Sequence, residues 1–316
     1  MPSLQSLRSL TTFSAMPSLL CPVRTCAAPL TLEGAAWRCP QGHSFDLARS
    51  GYANLLQPQD RKSKQPGDPK EAVLARRRYL EAGHGDFLRT ALLAAFDGLA
   101  LPPRPAVLDV GCGEGYFLGH LAQEREIEGT GIDLSAPAVD LAARRWHGLS
   151  WFVVNADRAL PFASESFDLA LSLTARRNPP ELHRLLRPAG RLLVTVPGED
   201  DLIELRTAVQ GEGLRRDRVG AVLDELAPFF ALEARRSLRQ GARLDAAPLR
   251  DLLASTYRGA RSKERGRVEA LTVLEVSFHL ELLILRKLPP PGGGGLPDPG
   301  PGGEVWPSGG VLRYSP

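Results

Sequence analysis

The chain has 316 residues, room for one large domain and a smaller one. With 43% hydrophobic and 24% charged residues, its composition is that of an ordinary globular protein, and no apolar run approaches the roughly 20 residues that span a membrane. The formal net charge is only +3, so contact with nucleic acid would have to rest on local clusters of basic residues.

Residues 1–20 are rich in Ser, Thr and Leu and contain no acid, as a transit peptide does; Met16 also opens a second natural-looking start, MPSLLCP, which makes the preceding stretch an extension outside the fold. Of the four cysteines, Cys112 sits in a glycine-rich stretch. The other three are odd in number and closely spaced, which argues against a disulfide framework and for a reducing compartment. They form Cys21-x4-Cys26 and, twelve residues on, Cys39-x3-His43. Three thiolates and one imidazole close a tetrahedral Zn²⁺ site with no open position, so Cys21, Cys26, Cys39 and His43 read as a structural centre. The metal replaces a core that so short a module cannot build. Between the pairs, Leu30–Leu32 and Ala36–Arg38 read as a hairpin around Gly34.

A polar segment then carries Arg61, Lys62 and Lys64, and a helical pattern over Glu71–Glu81 carries Arg76, Arg77 and Arg78 before a glycine stop at Ala82–Gly85. Such a run either solvates a helix face or tracks a phosphate backbone. Asp86–Leu99 reads as an amphipathic helix, and a Pro-rich link, Leu101–Pro105, leads to the apolar run at Val107.

Val107–Val110 suits a strand buried on both faces, and it breaks into alternating glycines before a helical segment from Tyr116. The turn is Asp-x-Gly-x-Gly-x-Gly, opened by Asp109, rather than the dinucleotide pattern Gly-x-Gly-x-x-Gly. A second apolar stretch ends in Gly131-Ile132-Asp133-Leu134, placing an acid where ribose hydroxyls can donate to it. Together these resemble motif I and the acidic partner of Rossmann-like methyltransferases that use S-adenosylmethionine (SAM). The resemblance implies an α/β fold with a mainly parallel seven-stranded sheet. It also implies a cofactor site built from Asp109, Gly111, Gly113, Glu114, Gly115, Tyr116, Asp133 and Leu134.

Ser135 caps a helix that runs to Arg145, with Pro137 early in it. Strands follow at Trp151–Asp157, Phe167–Leu173 and Arg191–Val196. Asp157 is either a turn residue or, by resemblance, a contact to the adenine amino group. Asn178-Pro179-Pro180 opens a helix over Glu181–Leu186; it also resembles the Asn-Pro-Pro-aromatic motif of amino-methyltransferases, with Glu181 in place of the aromatic. Leu202–Glu212 is helical, and the Arg-rich stretch Arg235–Arg267 is either a second nucleic-acid face or ordinary solvated surface. Leu274–Leu285 is the last strand, with His279 and Glu281 expected to face partly outward. After Lys287 the Pro/Gly-rich composition cannot bury a core and reads as disordered.

CPQGHSFDLARSGYANLL, PGDPKEAVLARRRYLEAGH and VLDVGCGEGY occur in this order. The set closely resembles bacterial 23S rRNA (guanine-N1-)-methyltransferases, whose type II members confer resistance to tylosin-like macrolides; the likeness covers Cys21 to Lys287. It implies a zinc module that helps recognise an rRNA hairpin, a C-terminal SAM domain, and methyl transfer to N1 of a loop guanine. A cytoplasmic location and a homodimer are further expectations. The expected divisions are an extension (1–20), a zinc-binding RNA-recognition module (21–56), a basic linker with helices (57–100), the methyltransferase domain (101–288) and a tail (289–316). Arg61, Lys62, Lys64 and Arg76–Arg78 are the expected phosphate contacts, lying outside the nucleotide cradle.

Three departures from the family pattern stand out. The first knuckle is usually Cys-x2-Cys, but Arg24 occupies the matching position. Gly85 replaces a Tyr close to the cofactor and leaves only backbone to offer there. Thr174-Ala175-Arg176 stands where Phe-Ala-Pro is common. No base for the guanine N1 proton is identified; His84 and His183, nearest the motifs, read as structural. Two other functions remain open at this point: a SAM enzyme for a small molecule, and an RNA-binding protein with a decayed site.

Overall fold

A computed structural model describes residues 18–61, 66–211, 215–256 and 271–289. Lys62, Lys64, most of the N-terminal extension, the Arg-rich stretch beyond 256 and the Pro/Gly tail lie outside the described residues.

In chain order the N-terminal region forms β1 (Thr31–Glu33), β2 (Ala36–Arg38), β3 (Ser44–Asp46) and β4 (Ala53–Asn54). Helices α1 (Lys70–Tyr79) and α2 (Asp86–Asp97) follow, joined by a wide helical turn, Leu80–His84. The larger unit then runs β5 (Ala106–Val110), α3 (Tyr116–Glu124), β6 (Glu128–Asp133), α4 (Ala136–Arg145), β7 (Ser150–Val153) and β8 (Phe167–Leu173). It continues as α5 (Pro179–Leu185), β9 (Leu186–Pro197), α6 (Ile203–Gln210), α7 (Val219–Leu226), β10 (Phe230–Asp245), α8 (Ala246–Thr256) and β11 (Val273–Lys287).

β1, β2 and β3 make a small antiparallel sheet. The main sheet has the order β10-β11-β9-β8-β5-β6-β7-β4. Strands β9 through β4 are parallel, and β11 inserts antiparallel between β9 and β10. The expected seven strands are present, and an eighth, the two-residue β4, pairs with β7 at one edge. β5 and β8 are buried along their whole length, because helices cover both faces of the sheet. Alternate residues of the central strands feed two cores. Leu108, Val110, Ile132 and Phe152 pack toward α5, α7 and the zinc module, including Leu19, Cys21 and Trp37. Val107, Leu169 and Trp151 pack toward α2, α3 and α4.

The structure corrects one expectation about β11. His279 and Glu281 are buried, at 5% and 3% exposure, rather than partly outward. The turn after β9 covers them: the His279 ring bonds the Asp200 carboxylate on one side and Glu281 on the other, with Ser237 of β10 3.0 Å from its Nε2. Arg235 donates to Glu281 at 2.8 Å, so these charges are buried because they are paired.

Candidate active site and metal centre

The loop between β5 and α3 sits at the carboxyl end of the parallel strands, where α/β sheets of this kind bind ligands. Gly113 and Gly115 have φ of 58° and 75°, a region that favours glycine. A Cβ on Gly115 would also lie 2.5 Å from the Trp151 ring, so the loop cannot accept a side chain there. Asp133, at the end of β6, accepts from the Gly113 N–H at 3.0 Å through Oδ2 and from the Ser135 N–H at 2.7 Å through Oδ1. These bonds fix the carboxylate and leave it further lone pairs for a ligand's hydroxyls.

Asp109 lies beneath the loop at 2% exposure, and burial pushes its carboxyl up to about 7, with Asp133 and Glu114 adding like charge. Burial also raises Glu114 and Asp133. Three acids drawn this close in a dry site favour a cationic ligand. That observation, with the glycine cradle, is what a sulfonium nucleoside requires, and the residues fit SAM.

One guanidinium faces all three acids. Arg76 of α1 lies 3.8 Å from Glu114, and the atoms nearest a Cβ on Gly113 would be those of the Arg76 guanidinium, at 3.4 Å. Asp68, Asp109 and Asp133 surround the same side chain. This corrects the expectation that Arg76 stands clear of the cradle. The physical reason is the segment before α1: Ser135 Oγ donates to the Asp68 carbonyl at 2.7 Å, and Gly67 (φ 81°) packs so tightly that a Cβ would sit 2.5 Å from Ser135 backbone. The turn pins the start of α1 against the start of α4 and lays α1 over the loop.

The other sequence-selected residues are spread around this centre. Arg77 pairs with Glu81 at 2.8 Å, and Arg78 pairs with Asp251 of α8 at 2.5 Å. Arg61 is exposed. Gly85 is buried at the start of α2, where a Cβ would lie 2.7 Å from Leu80 and 3.3 Å from the Tyr116 ring. Tyr116 is itself buried, and its hydroxyl donates to Asp86 at 3.0 Å, tying α3 to α2. Leu134 packs half-buried against the α2–α4 core. Asp157 is exposed and accepts from Arg176 at 3.0 Å. Asn178 stands at the cap position of α5 but makes no capping bond; its amide donates to the carbonyls of Ala156 and Arg158, both at 3.1 Å. His84 stacks on Tyr79 at 4.5 Å, and His183 Nε2 lies 2.8 Å from the Leu288 carbonyl.

In the N-terminal region, the Sγ atoms of Cys21, Cys26 and Cys39 and Nδ1 of His43 all lie within 4.8 Å of one another. His43 Nδ1 is 3.4 Å from Cys21 and 3.3 Å from Cys39, and Cys26 is 3.8 Å from Cys39. A tetrahedron with Zn–S of about 2.3 Å and Zn–N of about 2.0–2.1 Å has edges of about 3.4–3.8 Å, so the donor set fits Zn²⁺. Burial pushes the Cys21 thiol up to about 12, a cost that a bound dication reverses. Within the four-residue spacer of the first knuckle Thr25, a non-glycine residue, takes φ 68°, and Ala27 just after Cys26 takes φ 47°.

A methyltransferase-domain model matches residues 107–195, and a zinc-ribbon model described as RlmA, N-terminal, matches residues 19–64. A 23S rRNA (guanine(748)-N(1))-methyltransferase of Streptomyces fradiae is 36% identical over 277 residues, covering 86% of this chain and 97% of the relative. The chain belongs to the 23S rRNA (guanine-N1-)-methyltransferase family. SAM and a structural zinc are therefore the cofactors of its two centres. A malonyl-[acyl-carrier protein] O-methyltransferase of Salmonella typhimurium is 34% identical over 141 residues, 42% of this chain and 55% of that protein. The solved YcgJ protein of Bacillus subtilis aligns at TM-score 0.43 and 15% identity, over 63% of this chain and 96% of that one. The family match spans both the zinc ribbon and the cradle, whereas the O-methyltransferase match is partial.

Proposed function

We propose that the chain methylates N1 of a guanine in a hairpin loop of 23S rRNA. The observation that carries this reading is the fusion of the two centres. β4, the strand that leaves the zinc module, hydrogen-bonds to β7, two strands from β5 and next to β6, which ends in Asp133. A small substrate has no need of a metal-held module beside the methyl donor, and an RNA hairpin does.

When bound, SAM supplies a methyl group on a cationic sulfur. Asp133 would accept the ribose hydroxyls, Gly111, Gly113 and Gly115 would lie against the nucleoside, and Asp109 and Glu114 would face its positive end. Tyr116 and Gly85 would form the floor under that end, with Leu134 and Asp157 toward the base. Guanine N1 carries a proton at neutral pH, so the acceptor has to lose it as the methyl arrives, and positioning supplies much of the rate. The target base would be splayed from its loop to enter. Arg61, Lys62 and Lys64 would contact phosphates, and Arg77 and Arg78 would exchange Glu81 and Asp251 for phosphate oxygens. The division into a zinc-binding recognition module (21–56), linker helices (57–100) and a catalytic domain (101–288) belongs to the same reading. Among the described residues no helix is long and apolar enough to cross a membrane. Action in the cytoplasm, a homodimeric state and resistance to tylosin-like macrolides are its remaining parts.

The test is incubation of a 23S rRNA transcript with SAM and the protein. The product should stop reverse transcriptase at one guanine and yield 1-methylguanosine on digestion, because the methyl blocks pairing at N1. Methylation at another atom, or none, would overturn the reading.

A further inference from the structure

Arg76 and Glu114 are two charged groups in the cradle with unused bonding capacity. Among the described residues the Arg76 guanidinium makes no hydrogen bond, and its contact with Glu114, at 3.8 Å, is longer than one. Glu114 is only 4% exposed, yet both of its carboxylate oxygens are buried without a hydrogen-bond partner. A buried carboxylate with empty lone pairs is costly unless something fills them. Beside it lies a planar fork of five donors, equally unfilled.

We infer that this pair holds an α-amino-acid zwitterion, the methionine end of SAM, with Arg76 taking the carboxylate and Glu114 the ammonium. The inference rests on the cofactor assignment above and adds to it the residues that grip the end farthest from the adenine. Each orphan is the complement of one end of the ligand, and they stand next to each other as the two ends of an amino acid do. The three atoms nearest a Cβ on Gly113 would all be those of the Arg76 guanidinium, at 3.4–3.7 Å, so the guanidinium lies against the glycine loop that cradles the ligand.

The surroundings discriminate against the other use of an arginine here. Arg76 sits among Glu114, Asp133, Asp68 and Asp109. A lone phosphate would enter the field of all four acids. A zwitterion brings its own cation and is not repelled in this way. Arg77 and Arg78 are tied to Glu81 and Asp251, which fixes the phase of α1 and leaves Arg76 facing the loop.

The test compares two ligands that share the nucleoside and the thioether: S-adenosylhomocysteine, with the amino-acid end, and 5′-methylthioadenosine, without it. Calorimetric titration of full-length protein should show Arg76→Ala losing about 10- to 100-fold in affinity for S-adenosylhomocysteine, the range for a lost charge-assisted bond. Affinity for 5′-methylthioadenosine should stay within about twofold, and Glu114→Gln should show the same selectivity with a smaller loss. Arg76→Lys keeps the charge without the fork, guards against misfolding of the Ala variant, and should fall between wild type and Arg76→Ala. Equal losses for both ligands, or no loss for either, would overturn the inference. So would a fall in rRNA-fragment affinity with a shallower salt slope and unchanged S-adenosylhomocysteine binding, since Arg76 would then be a phosphate contact. Wild-type protein that binds S-adenosylhomocysteine with this selectivity but methylates no rRNA would overturn the rRNA reading and leave this one standing; protein that binds neither ligand would overturn this one.

Discussion

Asp109 is the residue whose protonation the fold controls most directly. Burial holds its carboxyl near 7 against an ordinary value of about 3.9, so the folded protein keeps a proton that the unfolded chain has released. The stability this contributes is present at low pH and is lost as pH rises through the folded value. Asp201, pushed up to about 6 by burial, acts in the same sense at slightly lower pH. His84, His120 and His183 are all held below the usual histidine value by burial, so they act in the opposite sense, adding stability as pH rises through about 6.5. The Asp109 contribution is therefore isolated by difference, wild type against Asp109→Asn, which leaves the other titrating groups common to both proteins. Between pH 6.5 and 8 the ligand-free wild type should lose about 1 kcal/mol relative to Asp109→Asn, about 2–4 °C in the difference of their Tm values. Scanning calorimetry of both proteins checks this, and a difference that does not change with pH would show that the Asp109 carboxyl is not held near 7. At Asp133 the expected effect is on affinity. Asp133→Ala removes the acceptor of the Gly113 and Ser135 N–H groups as well as the ribose site, and S-adenosylhomocysteine binding should weaken by about 1.5–3 kcal/mol by titration.

At the scale of elements, the turn before α1 decides whether the cradle is closed. Gly67 combines φ 81° with no space for a Cβ beside Ser135. Gly67→Ala must therefore strain the backbone and push α1 away from α4, at a cost of about 1–3 kcal/mol in stability by chemical denaturation. S-adenosylhomocysteine affinity should fall with it, because Arg76 rides on α1; an Ala variant with wild-type affinity would show that α1 does not need this seat. The same elements show what a sequence displays and what it hides. β5 and β8 were legible because strands buried on both faces are mostly apolar, and β6 because it ends in Gly131-Ile132-Asp133 at the expected distance from the loop. The glycine loop and Asp133 were legible because their spacing is local. β10 was not: its sequence, FALEARRSLRQGARLD, reads as solvated charge, and its arginines find acids only across the fold, Arg235 on Glu281 and Arg239 on Asp200. Arg76 was hidden for the same reason, since Glu114 and Asp133 reach it from distant loops. β4 is two residues long, too short for any periodicity.

For the whole molecule, the question is whether the zinc centre stabilises a separate unit or the entire chain. Residues on either side of the metal knuckle share a core with the main sheet: Leu19, Cys21, Trp37 and Cys39 pack with Ile132, Phe152 and Phe162. The Trp37 and Phe152 rings meet edge to face at 6.4 Å. Backbone bonds cross the boundary as well, Leu20 N–H to Pro161 O at 2.9 Å, Ala163 N–H to Ser18 O at 2.9 Å and Leu55 N–H to Val153 O at 3.0 Å. A module with so little core of its own depends on the metal, and a sheet edge that borrows this module's apolar side chains depends on the module. Unfolding should therefore be one cooperative event in which metal loss is felt throughout. Purified protein should contain about one Zn²⁺ per chain by metal analysis. Cys39→Ser should abolish that content and lower the single calorimetric transition as a whole, with S-adenosylhomocysteine binding lost at the lowered transition and not before. Two separated transitions in the variant, the upper one at the wild-type temperature, would show instead that the ribbon is an independent appendage and that the shared core around Trp37 and Phe152 contributes little.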